Sequence, residues 1–223
     1  LSLKNLPRLL VVLLPWCLRR RALAWFYGYR IHPTARIGWS WIFPRELVLG
    51  EGARIGHLNV AIHLDRVELG RHAVIERGNW ITGYPSADRR HFFHRSDRAP
   101  VFVLGDHGAV TKGHHFDCTD RVEIGAFTIV GGYRSQFLSH SVDFGENRQD
   151  AAPIAVGDHC FIGTAVVILG GAKLPPRSVL GAMSLLNHAF GDPGWLYAGS
   201  PARPVHALPP DAKYFARDTG FVT

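Results

Sequence analysis

The stretch VGDHCFIGTAVVILGGAKLPPRSVLGAMSLL, residues 156–186, carries an apolar residue at every sixth position: Val156, Ile162, Ile168, Leu174, Leu180 and Leu186. A helix would scatter these positions around its circumference, and the alternation of a plain strand would not single out every third inward site. Six-residue units that bury one shared face point instead to a parallel β-helix.

Glycine follows the apolar position at Gly157, Gly163 and Gly181, and the fifth place of successive units holds Cys160, Val166, Ala172, Ser178 and Ser184. Small residues let the chain turn between flat faces, and glycine permits corner conformations that a side chain penalises. Outward from this stretch the same phase recurs at Ile124-Gly125 with Val130, at Leu104-Gly105 with Val110 and Phe116, at Leu69-Gly70 with Ile75 and Ile81, and at Leu49-Gly50 with Ile55-Gly56. The repeat therefore covers most of the chain. The expected fold class is all-β, a β-helix with a short N-terminal helical segment and exterior loops.

Stacked coils expel an insertion as an exterior loop, and repeat proteins tend to carry function on such loops. Two departures from the period stand out, at about 83–100, containing YPSADRRHFFHRSDRAP, and at about 137–155, opening with FLSHSVDF. The expected organisation is an N-terminal arm over residues 1–30, a β-helix over 31–205 and a tail over 206–223.

The apolar share of 47% and charged share of 19% are those of a folded chain, not a disordered one. Cys17, Cys118 and Cys160, odd in number and without CxxC spacing, give neither a disulfide framework nor a metal cassette, and fit a reducing, cytoplasmic setting. The formal charge of +7 points to an anionic partner, but no nucleic-acid module accompanies it, and none is expected to bind. In the arm, the apolar run over residues 9–14 falls far short of the roughly 20 residues a spanning helix needs. Arg19-Arg20-Arg21 and aromatics follow it, where a signal peptide would place a small-residue cleavage site. Short amphipathic helices remain, and two readings stay open for them: packing on the protein's own core, or peripheral contact with the inner face of an anionic membrane through Trp16, Trp25 and the arginines.

His140 stands in the second departure with Asp143 and Glu146 nearby. An imidazole suits the removal of a hydroxyl proton near neutral pH, although a histidine on a polar loop is by itself more often a surface residue. Asp143 and Glu146 either orient the imidazole through its second nitrogen or are solvated loop charges. His114 and His115, in KGHHFD, precede that loop and divide between cleft and packing roles. Thirteen histidines raise the question of a metal, and His91 and His94 are three apart, but no convergent set of three or four ligands is spaced for zinc, so none is expected. The place of Cys160 in the repeat turns it inward, away from nucleophilic chemistry.

With these repeats, and with YAGSPARPV at residues 197–205 matching a closing segment G-x-P-A-[KR]-P-[IV], the sequence resembles the hexapeptide-repeat acyltransferases from about residue 31 to about 205. The likeness is to the sugar and xenobiotic O-acetyltransferases, of the kind found in polysaccharide biosynthesis. It implies a left-handed β-helix of triangular section with three units per coil. It also implies an acetyl-CoA-dependent O-acetyltransferase acting on a sugar or polysaccharide precursor, with His140 as general base, direct transfer and no metal. The resemblance puts His114, His115, Asp117, Arg134 and Gln136 at the acceptor. Thr164, Ala182, Asn187 and His188 fall where relatives bind the pantetheine arm, and Arg203 where a basic residue meets the coenzyme's phosphates. Asn187-His188 stands where some relatives have Thr-Lys. A homotrimer is implied, with clefts between subunits. Two other readings remain: an N-acyltransferase acting on an amino sugar of a nucleotide sugar, and a non-catalytic carbohydrate-binding scaffold.

Overall fold

A computed structural model describes residues 6–88, 91–220 and 222. Residues 1–5 of the arm, 89 and 90 of the first loop, and 221 and 223 of the tail lie outside the described residues. Two helices, α1 (Leu6–Leu13) and α2 (Trp16–Tyr27), precede short strands that form three parallel sheets. The first and third sheets hold seven strands each, and the second holds nine. Successive strands visit the first, second and third sheets in turn, so the chain winds through seven coils into a left-handed parallel β-helix, the fold expected.

The sixfold apolar positions become columns of core side chains. On the second sheet Ile37, Ile55, Ile75, Val110, Val130, Ile162 and Leu180 stack in register, and on the third Ile42, Ala61, Ile81, Phe116, Phe137, Ile168 and Leu186 do the same. All of them are buried. Each strand of two to four residues gives its backbone groups to the coils above and below, so strands too short to stand alone are satisfied by stacking.

The corners differ from expectation in which residues bear the unusual backbone. Left-handed φ falls on corner glycines such as Gly52, Gly78, Gly113 and Gly132, but also on non-glycine residues, among them His72, His107, Phe127, His159 and Arg177 at the corner between the first and second sheets. There each of the five donates its N–H to a carbonyl of the preceding coil, at 2.7–2.8 Å, which offsets the cost of that conformation. The rings of His72, His107, Phe127 and His159 also stack in sequence, with centroids 4.7–5.1 Å apart. The repeat glycines answer to space instead: a methyl on Gly105 would lie 2.5 Å from Ala126 N in the next coil.

Both departures leave the prism at the corner between the third and first sheets, two coils apart, or about 10 Å at the spacing of paired strands. The second is narrower than the sequence implies. Phe137 lies in strand Gln136–Leu138 and is fully buried between Phe116 and Ile168, so the excursion runs only over residues 139–153. It is an antiparallel hairpin of His140–Asp143 with Arg148–Ala151. After the last coil, Trp195–Gly199 continues the second sheet, Ala202–Ala207 turns back along it, and the tail crosses that sheet towards the N-terminal coils. Tyr214 donates its hydroxyl to Cys160 O, Arg177 donates to Pro210 O, and Arg217 donates to Phe127 O.

Candidate active site

Asp117 ends strand His115–Asp117 on the third sheet, in register with Thr82 in the coil before and Leu138 in the coil after. Beyond Leu138, buried Ser139 fixes the exit of the hairpin: its hydroxyl donates to Asp117 O at 2.7 Å and accepts from Asp120 N at 2.8 Å. His140 follows, and its Nδ1 lies 3.7 Å from Asp117 Oδ2. The other carboxylate oxygen, Oδ1, accepts from Thr119 N at 3.0 Å and Thr119 Oγ1 at 2.6 Å, so the carboxylate is held with Oδ2 towards the imidazole.

Asp143 and Glu146 are not that partner. Asp143 sits at the far end of the hairpin, opposite Arg148, where its carboxylate accepts from Gly145 N, Glu146 N and Arg148. It closes the turn, and Glu146 lies on it. The physical reason is register: an antiparallel strand carries residue 143 about 10 Å away from residue 140.

The first excursion folds over the imidazole. The rings of Tyr84 and Phe92 each meet His140 edge-on with centroids at 5.7 Å. His140 Nε2 is buried and has no hydrogen-bond partner among the described residues. Arg98, itself buried, holds this excursion down by donating to Thr119 O at 2.7 Å, to Pro85 O at 3.1 Å and to Tyr84 O, with its guanidinium 4.3 Å from the centre of the Phe92 ring. Arg95 ties the two excursions together through Asp150 and Ala151 O, with Asp97 at 2.9 Å and Asp120 at 3.6 Å. Tyr84, Phe92, Arg95 and Arg98 were not singled out in the sequence, where their segment has no periodicity to place them.

His114, expected at the acceptor, faces the interior. It is 1% exposed, with Nδ1 accepting from Ser135 N at 3.2 Å and Nε2 2.9 Å from Thr111 Oγ1. It continues a ladder inside the corner between the second and third sheets, in which Asn59 Oδ1 accepts from Asn79 N and Asn79 Oδ1 accepts from His114 N, both at 2.9 Å. Burial pushes its pKa down to about 4. His115, the next residue, points outward on the third sheet, beside Trp80 and Gln136, both exposed. Arg134 is exposed at the neighbouring corner, its guanidinium 5.7 Å from the centre of the Tyr133 ring.

Of the residues assigned to the donor, Thr164 and Ala182 occupy one corner on successive coils. Thr164 Oγ1 donates to Tyr133 O at 3.0 Å, and Ala182 N lies where a methyl on Gly163 would meet it at 2.6 Å. Asn187 and His188 follow the last coil on the far side of the third sheet, and His188 O accepts from Lys173 N at 3.1 Å. Arg203 lies on the last strand of the second sheet, exposed and paired with Ala198. These positions line more than one face of the prism. A cavity of about 1250 Å³ lies elsewhere again, between the second sheet and the C-terminal tail, with Val74, Ile129, Phe161 and Leu208 in its walls.

Both deeper thiols are removed from chemistry. Cys118 and Cys160 are fully buried, and burial raises the pKa of each, that of Cys160 to about 12.

No protein-family model and no curated protein matches the sequence. Among solved structures, the chain is similar to a point mutant of AntD, an N-acyltransferase from Bacillus cereus in complex with dTDP and coenzyme A, at 14% identity and TM-score 0.54 over 72% of this chain and 83% of that one. It is also matched to a hexapeptide-repeat-containing acetyltransferase from Vibrio cholerae at 19% identity and TM-score 0.48, over 91% of this chain and 86% of that one. The likeness to the Bacillus cereus enzyme is one of fold: this chain builds the same kind of coiled β-prism.

Proposed function

We propose that the chain is an acetyl-CoA-dependent O-acetyltransferase acting on a hydroxyl of a sugar or polysaccharide precursor, with His140 as general base. The observation that carries this reading is the Asp117–His140 pair, set on the outer edge of a rigid sheet with one imidazole nitrogen left over. Asp117 faces Nδ1. Nε2 is therefore the nitrogen that takes the acceptor's proton as the hydroxyl oxygen attacks the thioester carbonyl. The tetrahedral oxyanion collapses by breaking the carbon–sulfur bond, and the imidazolium returns its proton to the departing thiolate. Transfer is read as direct because no cysteine nucleophile stands beside the pair: Cys118 and Cys160 are buried in the core and Cys17 lies on α2, at the N-terminal end.

Tyr84 and Phe92 enclose Nε2, so the first excursion shifts to admit the acceptor, and its rings then form a wall of the acceptor cleft. His115, Gln136 and Trp80 on the open face of the third sheet supply polar contacts and a stacking surface suited to a sugar. Thr164, Ala182, Asn187, His188 and Arg203 are assigned to the donor. Because they span more than one face, the cleft is completed by a neighbouring subunit in a homotrimer.

N-acylation of an amino sugar is the second reading, favoured by the fold shared with an N-acyltransferase solved with dTDP and coenzyme A. Mass spectrometry of candidate glycans, nucleotide sugars and amino-sugar nucleotides incubated with the protein and acetyl-CoA separates the two. An O-acetylated glycan is the expected product, and an N-acylated nucleotide sugar alone would favour the second reading. Absence of both transfer and CoA-thioester hydrolysis would support a non-catalytic scaffold.

A further inference from the structure

Of the 25 Lys and Arg, eight precede Glu46, the first acidic residue of the chain, and the 17 that follow stand against 18 Asp and Glu. The excess of positive charge therefore comes from the first 45 residues, and the seven of these cations that lie among the described residues stand on α1, α2 and the first coil, at one end of the prism. Both helices are seated firmly. Val11 and Leu23 are buried against Ile37, Ile42 and Phe43 of the first coil, and buried Arg19 donates to Ile37 O and to Val12 O.

Their outer faces are apolar. Leu6, Leu10 and Leu13 form an exposed stripe on α1 at spacings of four and three, and Leu18, Arg21 and Trp25 form another on α2 at spacings of three and four. Leu13 is 70% exposed, Trp25 is 85% exposed, and Phe26, 71% exposed, stacks on Trp25. Exposed leucines and aromatics beside exposed arginines, on two helices that carry no carboxylate of their own, are the chemistry of a helix lying in a charged bilayer interface. A second copy of the chain is a poor occupant, because it would bring two such basic ends together. No helix among the described residues is long and apolar enough to cross a membrane.

We infer that this end of the prism docks on an anionic lipid surface, with the outer stripes of α1 and α2 inserted at headgroup depth and Arg21 and Arg30 at the phosphates. The inference is independent of the acyl-transfer reading.

Vesicle flotation tests it with the full chain, using phosphatidylcholine vesicles with and without phosphatidylglycerol. The chain is expected to float with the phosphatidylglycerol vesicles, to bind phosphatidylcholine alone poorly, and to dissociate as salt is raised. One variant combines Leu10→Ser, Leu13→Ser and Trp25→Ser; a second combines Arg21→Glu and Arg30→Glu. Each should weaken flotation by at least about tenfold while leaving the thermal midpoint unchanged, since all five side chains are exposed. No flotation with anionic vesicles at low salt, or undiminished flotation in both variants, would overturn the inference. So would dissociation of an oligomer by the serine variant with vesicle binding intact, which would make the face a contact between copies.

Discussion

His140 and Asp117 show how a residue pair forms across the repeat. The carboxylate lies a whole coil earlier in sequence yet meets the imidazole at 3.7 Å, because Asp117 is in register with Leu138, two residues before His140. Sequence proximity therefore pointed to Asp143 and Glu146, whereas stacking selects Asp117. Replacing Asp117 by Asn should lower kcat and change its pH profile while leaving CoA binding intact, whereas Asp143→Ala and Glu146→Ala should leave kcat near wild type. Steady-state rates across pH check this. His114 and His115 show the same point in one dipeptide: Phe116 faces the core, so strand alternation turns His115 outward, and His114 belongs to the corner ladder. Because burial holds the folded His114 pKa near 4, below its unfolded value near 6.5, its neutral form contributes stability that is complete above about pH 6.5. That contribution is lost as pH falls towards 4, at up to about 1.4 kcal/mol per pH unit. Denaturant titrations of wild type and His114→Asn between these limits should show a shallower pH dependence in the variant.

At the scale of elements, the coils and the places where the excursions leave them were legible, but how the excursions fold was not. The sixfold spacing of Val156 through Leu186 determined which residues are inward, and every one of them is buried. The role expected of the glycines was conformational freedom, but close coil-to-coil approach is what Gly105 provides. Gly105→Ala should cost roughly 1–3 kcal/mol through overpacking, read as a lower denaturation midpoint. The first excursion has no periodicity, and its position over His140 depends on buried Arg98 and on the Arg95 bridge to Asp150, which only the folded arrangement reveals. Arg95→Ala should free the excursions from one another, with faster amide exchange across residues 83–100 and no loss of exchange protection in the coils.

For the whole molecule, the prism separates its features by face and end: the Asp117–His140 pair at the corner between the third and first sheets, a tail strapped over the second sheet, and a basic apolar cap at the N-terminal end. The donor residues inferred from the resemblance span more than one face, and the proposed homotrimer would bring them into one cleft between subunits. Sedimentation should show a trimer, and an active monomer would remove that arrangement. In the proposed reaction, Nε2 of His140 carries the proton in acyl transfer. The most direct measurement is kcat of His140→Ala with CoA affinity measured in parallel. A fall of about 10²–10⁴ with CoA affinity unchanged is the expected result, and a His140→Ala protein that transfers acetyl at the wild-type rate would contradict the account.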